Sequence, residues 1–85
     1  MAEFTLFQNR PAFTTIWEYE HNTEKIYVQP DSLTTYLFYV NDARGHSIEE
    51  STGLSSAQLV SALTTKIGED PTFVVSSKGE DPSED

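Results

Sequence analysis

The chain has 85 residues, with 14 acids against five bases for a formal net charge of −9, a sequence pI near 4.4 and no cysteine. That length admits a single small domain, and the missing cysteines exclude disulfides, thiolate metal sites and cysteine nucleophiles. The charge repels nucleic acid and anionic membrane and attracts basic surfaces.

Glu3 to Gln8 is a β-prone run stopped by Asn9-Arg10-Pro11. From Ala12 to Glu20 the chain alternates: Phe13, Thr15, Trp17 and Tyr19 fall on one face, and Thr14, Ile16, Glu18 and Glu20 on the other. This is the period-2 pattern of a half-buried strand. Lys25 to Gln29 is β-prone again. A two-residue turn at Asn22-Thr23 pairs Glu20 with Lys25, Tyr19 with Ile26, Glu18 with Tyr27 and Trp17 with Val28. Trp17, Tyr19, Ile26 and Val28 then share one face, an agreement that a one-residue slip would destroy. Thr23 fits such a turn poorly, because primed turns favour residues tolerant of positive φ.

Pro30-Asp31-Ser32 breaks the chain before Thr34 to Asn41, the most apolar segment. Asp42-Ala43-Arg44-Gly45 reads as a turn, with Gly45 left-handed. His46 to Ser51 returns as a more polar strand. Pairing Phe38 with Ile48 places Val40 opposite His46 and Leu37 opposite Glu49, and puts Glu49 and Ser51 on the face of Leu37 and Tyr39. Ser55 and Gln58 form a capping box, Leu54 and Leu59 a hydrophobic staple. Leu59, Val60, Leu63 and Ile67 make one apolar side of a helix that ends at Lys66, Gly68 and Pro71. Thr72 to Ser77 reads as a last short strand.

The expected fold is α+β: a mostly antiparallel sheet of about five strands in the order β-ββ-ββ-α-β, with one helix packed on a face. Residues 1–77 form the domain. Residues 78–85 form a disordered acidic tail, with four acids against Lys78 and no apolar residue. The opening Met1-Ala2-Glu3-Phe4 lacks the basic and apolar regions of a signal peptide, and no apolar run approaches the ~20 residues that span a bilayer. A cytoplasmic protein is expected, in the host cytoplasm if the source is viral.

Catalytic signatures are missing. There is no Gly-x-Ser-x-Gly elbow and no glycine-rich phosphate loop, and His21 and His46 sit in polar turns without a converging set of metal ligands. No enzyme activity, cofactor or metal is expected. Direct nucleic-acid binding is disfavoured, because Arg10, Lys25, Arg44, Lys66 and Lys78 are scattered and outnumbered.

What remains is protein–protein interaction. Alternate strand residues lie ~6.6 Å apart on one face, comparable with the phosphate spacing of a nucleic-acid strand. Glu18 and Glu20 form such a row, with Glu24 at its end. Asp42, Glu49 and Glu50 offer a second acidic group around the later hairpin, and Tyr27 and Tyr39 an aromatic contact. In size, charge and build the chain resembles phage-encoded inhibitors of restriction, CRISPR or transcription enzymes. That resemblance implies a DNA mimic that occupies a basic groove. The expected partner is a basic surface, in the sharper form a nucleic-acid-binding protein. A homo-oligomer stays open, as does an accessory subunit that binds through exposed sheet aromatics.

Overall fold

The computed structural model describes residues 2–8 and 16–73, with backbone alone at 6–8. Six strands and one helix appear in chain order: β1 (Ala2–Gln8), β2 (Ile16–His21), β3 (Glu24–Pro30), β4 (Tyr36–Asn41), β5 (Ser47–Leu54), α1 (Ser56–Ile67) and β6 (Pro71–Phe73). They make an α+β fold with one six-stranded sheet in the order β5-β4-β3-β2-β1-β6. Every ladder is antiparallel except β1–β6. The six strands and one helix follow the expected order β-ββ-ββ-α-β, against a sheet expected to hold about five strands. Residues 12–15 of the expected second strand, 74–77 of the last one, and the expected tail at 78–85 lie outside the described residues.

The first hairpin has the register that alternation predicts: Trp17 pairs Val28, Glu18 pairs Tyr27, Tyr19 pairs Ile26 and Glu20 pairs Lys25. Among the described non-glycine residues only Asn22 has positive φ, at 58°. The turn thus places its left-handed residue on Asn22, which tolerates it, and spares Thr23.

The second hairpin departs from the expected pairing. Phe38 lies opposite Ser51, Tyr39 opposite Glu50 and Val40 opposite Glu49, with irregularities between Tyr36 and Phe38 and between Val40 and Asn41. The displacement from the expected register is three residues. An odd displacement reverses the faces of a strand. Glu49 and Ser51 therefore belong to the face of Val40 and Phe38, not that of Leu37 and Tyr39. Ile48, expected opposite Phe38, is 51% exposed.

The helix follows its sequence signals. Ser55 Oγ accepts from the Gln58 amide at 3.2 Å, and Gln58 Oε1 accepts from the Ser55 amide at 2.9 Å. Gly68 closes the helix at φ 81°, its amide donating to the Thr64 carbonyl at 2.9 Å. Leu59, Leu63 and Ile67 are buried against the sheet, and Leu54 packs beside them. Beneath the helix lie Trp17, Ile26, Val28, Phe38 and Val40, all essentially inaccessible. Returning from α1, the chain sets β6 parallel to β1, with Ala2 opposite Pro71 and Phe4 opposite Phe73. Phe73 meets the rings of Phe4 and Trp17 at 5.0 and 5.6 Å, closing the core between the two termini of the described fold.

Candidate interaction site

The helix covers one face of the sheet, and no described element packs on the other. On that outer face the ladder registers align Thr5, Glu18, Tyr27, Tyr39 and Glu50 in one row across five strands. Adjacent strands are ~4.8 Å apart, so Glu18 and Glu50 bracket the tyrosines from ~14 Å apart. The Tyr27 and Tyr39 rings stack at a centroid distance of 5.2 Å and an interplanar angle of 23°. Burial, with Tyr27 adjacent, raises the Tyr39 hydroxyl pKa above its ordinary 10.0. Glu18 and Tyr27 are half-buried, and Glu18 Oε2 is shielded from solvent with no hydrogen-bond partner among the described residues.

Glu20 belongs to the same face, one row away and directly opposite Lys25. Thus five of the eight residues singled out in the sequence converge here: Glu18, Glu20, Tyr27, Tyr39 and Glu50. The other three do not join them. Glu49 faces the helix and accepts a hydrogen bond from Lys66 Nζ at 2.9 Å. Glu24 pairs with His21 on the helix side, with its carboxylate 3.9 Å from the same lysine. It therefore does not extend the row of Glu18 and Glu20. Asp42 stays within its turn, where Oδ1 accepts from the backbone amides of Arg44 and His46, both at 2.9 Å. The His46 amide, seconded by the amides of Arg44 and Gly45, holds the Asp42 carboxyl below its ordinary 3.8.

Lys66 is the residue whose role was least visible in the sequence. Its place in the last helical turn suggested only a favourable helix-dipole contact. In the fold it neutralises two carboxylates on two strands. Among the described residues no group of three His, Asp or Glu side chains could hold a metal ion, and no helix is long and apolar enough to cross a membrane. The sequence matches no family model, and no curated protein or solved structure is detectably similar to it.

Proposed function

We propose that this protein is a non-enzymatic interaction module whose outer sheet face docks on a basic protein surface. In its sharper form it is an inhibitor that occupies the nucleic-acid groove of a CRISPR, restriction or transcription enzyme in the cytoplasm. The observation that carries this reading is the row Glu18–Tyr27–Tyr39–Glu50, a stacked aromatic pair between two carboxylates on an open face. Tyrosine buries a large area while keeping a polar tip. The flanking carboxylates supply partners for lysine and arginine, and the net charge of −9 steers a basic surface toward them. The alternative is an accessory subunit held mainly by the tyrosines.

Salt separates the two. Capture of a nucleic-acid enzyme from bacterial lysate at low salt, its loss at high salt and its displacement by double-stranded DNA are the expected results for the inhibitor. Glu18→Gln with Glu50→Gln should weaken that capture and flatten its salt dependence, because fewer charges remain on that face to be screened. Capture that is insensitive to salt and to both glutamine changes, but abolished by Tyr27→Ser with Tyr39→Ser, would identify the subunit instead. Capture untouched by all four substitutions would remove the outer face from consideration.

A further inference from the structure

The two ends of the sheet differ. Among the described residues β6 covers Pro71–Phe73 and opens on Pro71, which has no amide hydrogen to donate. β5 is eight residues long, with every residue exposed or half-buried. It pairs with β4 on one side, and among the described residues no strand pairs with the other. An unpaired edge is a template for another chain. Beside it lies a shallow, open groove on α1, lined by Ala57, Ser61, Ala62 and Thr65 and bounded toward β5 by Glu49, which pairs with Lys66. A strand added to β5 would send alternate side chains into this groove and the others onto the outer face.

We propose that the β5 edge takes an extended segment of a partner protein, with lysine or arginine at the positions that continue the outer face and small apolar residues at those that enter the groove. Charge selects this occupant. The outer-face row ends on Glu50 at the sheet edge, so the next strand places its residue directly beside that carboxylate. Glu49, on the groove side, already has Lys66, and the wall of alanine, serine and threonine suits small side chains there. A second copy of the chain is a poor occupant. Each copy carries −9, and antiparallel pairing of two β5 strands about their centres brings Glu49 and Glu50 of one copy close to those of the other. Like charges at such positions oppose pairing, so the same carboxylates that reject self-association admit a cationic strand. This inference shares Glu50 with the tyrosine row but rests on the backbone edge of β5, not on the stacked rings.

The test uses the full, isotopically labelled chain and synthetic peptides of eight residues, the length of β5. One peptide alternates lysine and valine, one alternates glutamate and valine, and one is the lysine peptide N-methylated along its bonding edge. The lysine peptide is expected to slow amide exchange in β5 and to shift the methyl signals of Ala57 and Ala62. N-methylation, which removes the backbone donors, should weaken binding at least about tenfold, or about 1.4 kcal/mol. The glutamate peptide should not bind. Ser61→Leu, at an exposed helix position, fills the groove and should also weaken the lysine peptide. Equal binding of the lysine and glutamate peptides would overturn the charge assignment. Protection of β5 without peptide, rising with protein concentration, would make a second copy the occupant. Shifts at Tyr27 and Tyr39 with β5 unchanged would sink strand addition and leave the outer-face reading intact.

Discussion

Single side chains define both the interior and the chemistry of the turns. Trp17 is fully buried, with Val28 opposite it and Phe73 against its ring edge-on at 5.6 Å. Trp17→Ala is expected to cost roughly 3–5 kcal/mol, a large part of the stability of a small domain. Denaturant titration measures this, and a loss under about 1 kcal/mol would be incompatible with that packing. Asp42 works through charge instead. Its carboxylate accepts two backbone amides in the second turn, and its folded pKa lies below the ordinary 3.8. A depressed carboxyl pKa contributes stability above the unfolded value and loses it as pH falls through the folded one. Asp42→Ala should therefore lower the melting temperature at neutral pH, and the gap from wild type should close in acid below about pH 4. A gap that persists unchanged at low pH would show that the turn is held by something other than this carboxylate.

At the scale of elements, β5 separates two possible registers. With Phe38 opposite Ser51, Ile48 stays 51% exposed. Ile48→Thr is then a surface change and should alter stability by no more than about 0.5 kcal/mol. If Ile48 instead faced Phe38 in the core, losing it would cost upward of about 1 kcal/mol, and equilibrium unfolding distinguishes the two outcomes. The helix was far more legible than this strand. Its capping box, its αL stop at Gly68 and its buried Leu59, Leu63 and Ile67 all lie within one short stretch of sequence. The first hairpin was legible for a related reason. Trp17, Tyr19, Ile26 and Val28 agree on one face in only one register, whereas β5 contains no comparable alternation.

For the whole molecule, charge opposes compactness. Lys66 pairs with acids on two strands, Glu49 and Glu24. The remaining excess negative charge repels itself across a fold whose Cα radius of gyration is 11.7 Å, about one Debye length at 0.1 M salt. Raising NaCl from about 0.02 M to about 0.5 M should therefore raise the melting temperature, because screening relieves self-repulsion over that distance. A melting temperature that falls over this range would mean that the Lys66 pairs outweigh the net repulsion.

What the sequence determined by itself is local: the helix and its caps, the turn at Gly45, the first hairpin and the shared face of Trp17, Tyr19, Ile26 and Val28. Each depends on residues close together in the chain, where periodicity and backbone preference act directly. The tertiary structure decided the rest. It set the register of β5, sent Glu24 and Glu49 toward Lys66, joined β6 in parallel to β1, and gathered Glu18, Tyr27, Tyr39 and Glu50 into one row. These outcomes turn on which strand lies beside which and on bulges that shift the ladder. Both are settled by packing between residues far apart in sequence, for which a polar edge strand carries no hydrophobic pattern to read.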